Sequence, residues 1–466
     1  MIDNSVNIES EYQAQSLASG VEGRFLVVLG AAESGIGAAI LGKQKGYTVF
    51  VSDGGKIKDN YKKELVDKGI AFEEGQHSIE KILMADEVMK SPGIPEKNEL
   101  VKNIRAKGIP VISEIELAYR FKGDSKIIAI TGSNGKSTTT TLIHHMCITG
   151  GLDCALVGNI GYSFAKQVAE APKRWYVAEI SSFQLDDIKT FRPDVAVLLN
   201  ITEDHLDRYE YKFENYINSK FRIIENQQPD DYFIYCEDDE VIMQHLKNIS
   251  LLTNPMPFSM KHEVINGAFI LNNEMVIKAS TERISMSIYD FALKGKHNQY
   301  NTMAAGLAGV AVGIRKEKIR EAIITAKGLE HRMEGVAVVR GVSYINDSKA
   351  TNVNSTWFAL YSMEQPVILI LGGLDKGNDY SILYEFLDKI KAIVCLGVDN
   401  EKIHKAFENR VPFITDTHSA KEAVKTCYKL AEKGDAVLLS PACASFDLFK
   451  NYEDRGRQFK EAVKEL

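Results

Sequence analysis

The chain contains no apolar run that approaches the about 18 residues a membrane-spanning helix needs, and this excludes an integral helical membrane protein. Its opening segment, MIDNSVNIESEYQ, lacks the basic start and apolar core of a signal peptide, so a cytoplasmic location is expected. Cysteine is sparse: Cys147, Cys154, Cys236, Cys395, Cys427 and Cys443 form no CxxC pair. A chain of 466 residues has no need of disulfide staples, so the six are read as reduced thiols. Excess positive charge is absent as well. The net charge of −7 argues against a nucleic-acid binder that works by bulk charge, while leaving room for a local basic pocket for phosphates. There is no internal repeat, no low-complexity tract and no GxGxxG. The Gly30…Gly35…Gly37 spacing therefore points only weakly to a dinucleotide, although a glycine turn at a helix start still suits a pyrophosphate.

What is present is an ordinary globular composition, 45% hydrophobic and 26% charged, with length for about three domains. Short apolar strands alternate with helical stretches, the pattern of an α/β protein. Strands are expected at Phe25 to Leu29, Thr48 to Ser52, Val88 to Lys90, Ile127 to Ile130, Tyr176 to Ile180 and Val195 to Leu199. Further on they are expected at Val342 to Ile345, Val367 to Leu371, Ile393 to Leu396 and Ala436 to Leu439. Between Val264 and Ile288, alternation with Asn266-Gly267 and Asn272-Asn273 predicts hairpins. Block boundaries fall near Glu114 and Gly328: a loosely held extension over 1–22, then 23–113, 114–327 and 328–466.

TGSNGKST, Thr131 to Thr138, carries the most chemistry. A strand precedes it and a helix-like segment follows, which are the parts of a phosphate cradle. Gly132, Ser133, Asn134, Gly135, Lys136, Ser137 and Thr138 form the loop; Lys136 would reach the β- and γ-phosphates of ATP and Ser137 would ligand Mg²⁺. Ile130 stands where the common pattern has its first glycine, so Gly132 does the turning. Glu179 ends the strand WYVAEI, where an acid beside a P-loop suits Mg²⁺ and a surface carboxylate is the plainer reading. His205, in NITEDHLDRY, fits a capped helix start with Glu203, Asp204 and Asp207, or a structural or surface histidine. Lys220, in YINSKFRI, reads as an ordinary helix-face lysine. Asn298 and Asn301 share one helix face, and Arg332 closes GLEHR at a block boundary. Asp347, Lys349, Thr351, Lys376, Ser440, Ser445 and Tyr452 follow strands of the third block, at the ends where open α/β sheets bind ligands.

The ordered series TGSNGKST, GNIG, EISSFQL, TEDHLDRY, GKHNQYN, GLEHR, NDSKATN, GGLDKG and SPACASFD resembles the Mur ligases of peptidoglycan synthesis, nearest to their D-glutamate-adding members, from about Phe25 to the C-terminus. The DNPR segment of the diaminopimelate-adding relatives is absent, which favours D-glutamate over a diamino acid. The resemblance implies a Rossmann-like N-terminal domain for a UDP-substrate, a central P-loop ATPase domain with a mostly parallel sheet, and a Rossmann-like C-terminal domain for the incoming amino acid. It implies an ATP- and Mg²⁺-dependent ligase that adds D-glutamate to UDP-N-acetylmuramoyl-L-alanine through an acyl phosphate, acting as a monomer without nucleic acid or membrane. It further implies that Ser137 and Glu179 hold one Mg²⁺, and that His205 and Lys220, the last as a carbamate, hold a second. Ser34, Gly54, Ser91, Asn159, Ser181, Gln184 and His205 would bind the UDP-substrate; Asn298, Asn301, Arg332 and Asp347 the nucleotide; and Lys349, Thr351, Lys376, Ser445 and Tyr452 D-glutamate. Leu374 stands where some members carry an acid, with Asp375 next, and the Asp53-Gly54-Gly55 region lacks the family's Thr-Arg pair. The rival readings are an L-alanine-adding or folylpolyglutamate-type ligase, and a P-loop nucleotide sensor without ligase chemistry.

Overall fold

The computed structural model describes Val21 and residues 23–279, 282–375 and 377–466. The expected extension over 1–22, apart from Val21, and the expected D-glutamate residue Lys376 lie outside the described residues. The chain forms two compact units, one reaching Phe291 and including Gln299–Ala326, the other made of Ala292–Asn298 and Lys327–Leu466.

The first unit contains two sheets. Strands β1 (Phe25–Leu29), β2 (Thr48–Asp53), β3 (Ala71–Glu74), β4 (Glu87–Lys90) and β5 (Val111–Ile112) form a parallel sheet in the order β3-β2-β1-β4-β5. The chain reverses direction across the sheet at β1, so β1, β2 and β4 present their carboxyl ends side by side. The helix Glu33–Gln44 packs closely on this sheet. A Cβ on Gly35 would strike the Gly30 carbonyl and one on Gly37 would strike Ser163 Oγ, so these glycines serve close packing as well as the turn.

The second sheet holds β6 (Lys126–Thr131), β7 (Cys154–Gly158), β8 (Trp175–Glu179), β9 (Val195–Leu198), β10 (Tyr232–Cys236), β11 (Asn254–Ser259), β12 (Gly267–Leu271), β13 (Glu274–Ala279) and β14 (Glu282–Ser287). Its order is β14-β13-β12-β11-β10-β9-β6-β8-β7. Pairing is parallel from β7 through to β12 and antiparallel across β12, β13 and β14. Ile127, Ile128, Ala129 and Ile130 are fully buried, covered on both faces, which is why β6 reads as an unbroken apolar run. Each buried isoleucine contributes roughly 1.5–3 kcal/mol of transfer free energy. One turn expectation is corrected. Asn272 and Asn273, both with positive φ, make the hairpin between β12 and β13, but Asn266-Gly267 leads into a strand parallel to β11. Gly267 is there because a Cβ would collide with the Pro257 carbonyl.

The second unit carries β15 (Glu334–Val339), β16 (Val342–Asn346), β17 (Val367–Leu371), β18 (Ile390–Leu396), β19 (Ile414–Thr417) and β20 (Ala436–Leu439), ordered β15-β16-β20-β17-β18-β19. All pairs are parallel except β15 with β16. Hydrophobic clusters fill both faces, one including Leu369, Leu371 and Leu438, the other Ile368, Ile370 and Val437. All six cysteines are buried and none is in a disulfide. No helix among the described residues is long and apolar enough to cross a membrane.

Candidate active site

β6 ends between β8 and β9, and the loop from Thr131 to Gly135 turns there into the helix Lys136–Thr149. Gly132 and Gly135 both take positive φ, and Gly135 is the residue from which the helix starts. The loop is braced by Asn200, just past β9: Asn134 N donates to Asn200 Oδ1 (2.8 Å) and Asn200 Nδ2 donates back to the Asn134 carbonyl (3.1 Å). Asn301 closes its other side, since a Cβ on Gly135 would strike Asn301 Oδ1.

Two lysine side-chain nitrogens converge on one atom in this loop. Lys136 Nζ donates to the Gly132 carbonyl (2.7 Å) and the Ser133 carbonyl (2.8 Å), and Lys220 Nζ donates to the same Gly132 carbonyl (2.8 Å). Lys220 belongs to the helix Phe213–Phe221, is 1% exposed and lies over the Tyr216 ring. The reading of Lys220 as an ordinary helix-face lysine is therefore corrected: tertiary packing turns that face inward. Burial first, and the positive charge of Lys136 second, push its proton affinity well below that of a free lysine. Tyr216 hydrogen-bonds Ser133 Oγ (3.2 Å), so one helix face supports both the loop and the amine.

Register places Glu179, the last residue of β8, opposite Ile130. Glu179 is 1% exposed, not a surface acid; its Oε1 accepts from Asn159 Nδ2 (2.7 Å), while its Oε2 is buried with no hydrogen-bond partner. An unsatisfied buried carboxylate oxygen beside a phosphate-type loop suits a hard cation. Ser137 is also buried at this edge. Ser181 and Gln184 form a capping box, with Ser181 N and Oγ both 3.0 Å from Gln184 Oε1.

His205 corrects the expectation of a helix start capped by its acidic neighbours. It adopts a left-handed conformation before the short turn Leu206–Arg208, whose first residue has no side-chain cap. Its half-exposed ring packs edge-on to Phe183, centroids 5.0 Å apart. Partial burial, with Lys136 and Lys220 nearby, lowers its proton affinity against the pull of Asp204. Arg208 stacks on Phe183 and donates to the carbonyls of Pro92 (3.1 Å), Ile94 (3.3 Å) and Gly93 (3.5 Å). It thereby ties the histidine loop to the turn after β4. That turn holds Ser91, with Gly54 after β2 and Ser34 after β1, so three expected UDP-substrate residues share the carboxyl edge of the first sheet. Asp53 organises this edge, accepting from Ala31 N (2.7 Å) and Gly55 N (2.8 Å).

In the second unit, Asp347, Lys349 and Thr351 follow β16 and Ser445 follows β20, its neighbour in the sheet. Asp347 accepts from Ser440 Oγ (2.8 Å) and Met333 N (3.2 Å), and burial raises its pKa to about 7 despite Arg332 nearby. Lys349 Nζ lies over the Tyr452 ring, 5.4 Å from its centroid. Asn298 donates to the Lys294 carbonyl (2.8 Å). Asp375 braces its loop by accepting from Gly377 N, Asn378 N, Lys402 Nζ and the Tyr380 hydroxyl. Asn200 and Tyr216 escaped the sequence reading. Their signals were position alone: one directly after a central strand, the other one helical turn before Lys220.

A glycine loop at a strand-to-helix turn, an unsatisfied acid on the adjoining strand and two converging lysines define a P-loop nucleotide-binding α/β protein. Residues 25–100 match the MurD N-terminal domain, 130–309 the Mur ligase middle domain, and 331–443 the Mur ligase glutamate ligase domain. The UDP-N-acetylmuramoylalanine–D-glutamate ligase of Christiangramia forsetii is 53% identical, covering 95% of this chain and 100% of that one. Among solved structures, a pseudomurein peptide ligase type C from Methanothermus fervidus aligns with a TM-score of 0.61 at 19% identity, over 95% of this chain and 99% of that one. The MurF ligase from Thermotoga maritima, in complex with ADP, aligns with a TM-score of 0.58 at 12% identity, over 90% and 95%. The chain belongs to the Mur ligase family, among its D-glutamate-adding ligases.

Proposed function

We propose that this protein joins D-glutamate to UDP-N-acetylmuramoyl-L-alanine with ATP and Mg²⁺, as a cytoplasmic monomer, and that the residues gathered around Gly132 do the phosphoryl chemistry. The observation that carries this reading is the pair of lysines on the Gly132 carbonyl beside the unsatisfied Glu179 Oε2. Residues 23–113 serve the UDP-substrate, 114–327 the nucleotide and 328–466 the amino acid.

The reaction begins with the alanyl carboxylate attacking the γ-phosphate to give an acyl phosphate, and two anions must meet. Lys136 swings from its loop carbonyls onto the phosphates, and the amides of Gly132 to Thr138 cradle them. Ser137 and Glu179 would hold one Mg²⁺, and His205 with a carbamylated Lys220 a second; bound there, the ions would supply charge neutralisation on the transferring group. The fit requires Lys220 to be anionic, because an ammonium repels a cation. A buried lysine that gives up its proton easily is the form that reacts with CO₂ to make a carbamate, whose oxygens suit Mg²⁺. Asn298, Asn301, Arg332 and Asp347 hold the rest of the nucleotide. Ser34, Gly54 and Ser91 hold the UDP part, and Asn159, Ser181, Gln184 and His205 the muramoyl-alanine end. In the second step the D-glutamate amine attacks the carbonyl and phosphate leaves. Lys349, Thr351, Lys376, Ser445 and Tyr452 fix D-glutamate, and the amine gives up its proton to solvent.

The test is the fate of a heavy-oxygen label in the alanyl carboxylate. An acyl phosphate passes one labelled oxygen to inorganic phosphate; release of unlabelled phosphate during full product formation contradicts the path.

A further inference from the structure

A second cluster of ligand-type side chains lies in the second unit, built from two strands and the helix that joins them. Cys395 of β18 and Asp416 of β19 are direct partners in the parallel register, so their side chains lie on the same face of the sheet. The crossover helix Glu401–Phe407 covers that face and presents His404. His404 Nε2 is 3.0 and 3.2 Å from the two Asp416 oxygens, and the thiol, imidazole and carboxylate donor atoms all lie within 4.8 Å of one another. Cys395 is fully buried, His404 partly exposed and Asp416 exposed, so the cluster opens to solvent on its carboxylate side.

We propose that Cys395, His404 and Asp416 form a Zn²⁺ site with one position left to water. A surface His–Asp pair accounts for two of these groups; the thiol beneath them belongs to the buried apolar cluster, yet its register with Asp416 brings all three donor types to one point. The donor set of one sulfur, one imidazole nitrogen and one carboxylate oxygen selects a borderline-soft transition ion over Mg²⁺ or Ca²⁺. Each donor would close on the ion to about 2.0–2.3 Å. The charges balance: thiolate and carboxylate together neutralise the dication. Binding breaks the Cys395 S–H bond and the His404 Nε2–H bond that points at Asp416; the imidazole takes up a proton at Nδ1 in exchange, so one proton per ion is released net to solvent, and no atom changes oxidation state. Without a cation, burial and the adjacent Asp416 hold the proton firmly on the thiol. Asn400 serves as a positioning residue. Its Nδ2 donates to Asp416 Oδ1 (2.9 Å) and the Gly397 carbonyl (3.3 Å), the outer support that carboxylate ligands commonly have. Among the described residues the other cluster of this kind, Glu330, His331 and Glu334, already holds a cation, because Lys460 Nζ lies 2.8 Å from Glu330 Oε1 and 2.5 Å from Glu334 Oε1. The consequence is mechanical. Zn²⁺ would pin the crossover helix to the sheet, and the same helix carries Lys402, which grips Asp375 (3.1 Å).

The experiment titrates Co²⁺, then Zn²⁺, into the full-length metal-free protein. The expected result is a thiolate-to-cobalt charge-transfer band at one ion per chain, bleached by equimolar Zn²⁺, with one proton released per ion. The band distinguishes this site from any all-oxygen or nitrogen site for Mg²⁺. Cys395→Ser should abolish it. Because a change at a fully buried position risks misfolding, His404→Ala at a partly exposed position carries the same test, with circular dichroism as the check on folding. It should weaken Co²⁺ binding at least about 100-fold, and Asn400→Ala about 10- to 100-fold. Absence of the band at saturating Co²⁺, or a band of unchanged affinity in folded His404→Ala, overturns the proposal.

Discussion

Replacing Lys220 by methionine separates what this residue does for function from what it does for the fold. Methionine matches the length of the buried lysine stem without bringing an amine. In the folded protein the amine makes one hydrogen bond that matters, to the Gly132 carbonyl, and Lys136 already serves that acceptor. Losing it costs about 1 kcal/mol. Against this stands the penalty for holding an ionisable group at 1% exposure next to a second ammonium, on the order of 1–3 kcal/mol even when the group is neutral. The sum predicts a thermal midpoint equal to or above that of the parent. Activity should move the other way. Removing an anionic ligand at the site of phosphoryl transfer should cost about 4 kcal/mol of barrier, on the order of 10³-fold in kcat. Lys220→Arg should be equally inactive, since a permanent cation cannot replace a carbamate, and a short carboxylate such as acetate should partly restore Lys220→Ala. Calorimetric scanning and phosphate release read the two effects. A Lys220→Met or Lys220→Arg enzyme within a few-fold of parental kcat would refute the ligand role.

Lys136→Ala should lower turnover by about 10²-fold or more with an unchanged far-ultraviolet spectrum, since Lys136 meets charge that grows during transfer; near-normal turnover would mean the loop does not hold the reacting phosphates. Glu114 is buried, accepts from Ser163 Oγ and Ala165 N (both 2.6 Å), and has its pKa raised to about 7 by burial, with Glu33 adding to it. The folded state therefore holds this proton where the unfolded state has lost it. Stability from this group is complete below the unfolded value and falls as pH rises to about 7, by roughly 3 kcal/mol at most. Glu114→Gln should flatten that part of the pH–stability profile, and an unchanged slope in urea titrations would contradict it. Arg208→Ala should raise the KM for the UDP-substrate more than that for ATP, because it removes three bonds to the Pro92–Ile94 carbonyls; equal effects on both would argue that it only stabilises its loop.

The fold was legible wherever local chemistry decides the structure. Strands such as β6 and β17 are buried on both faces and show as continuous apolar runs. The Asn272-Asn273 hairpin shows because asparagine tolerates positive φ. Asn266-Gly267 carries the same local signal for a different reason, the close approach of Pro257, which depends on a neighbouring strand. The phosphate loop could be read directly, since its glycines and lysine act within eight residues. Lys220 could not be read bottom-up. Its burial arises from a helix packed onto a loop 88 residues earlier, and only the family resemblance singled it out. Glu179 stood between these cases: its place at a strand end was visible, but its unsatisfied oxygen was not. The Cys395–Asp416 pairing depends on strand register, which no single segment reveals.

The central claim is that the chain uses D-glutamate, and the most direct measurement is ATP-dependent phosphate release with UDP-N-acetylmuramoyl-L-alanine across a panel of amino acids. Phosphate and amide product should form together with D-glutamate and fall to background with L-glutamate, L-alanine and diaminopimelate. Equal amide formation with L-alanine or diaminopimelate would contradict the account.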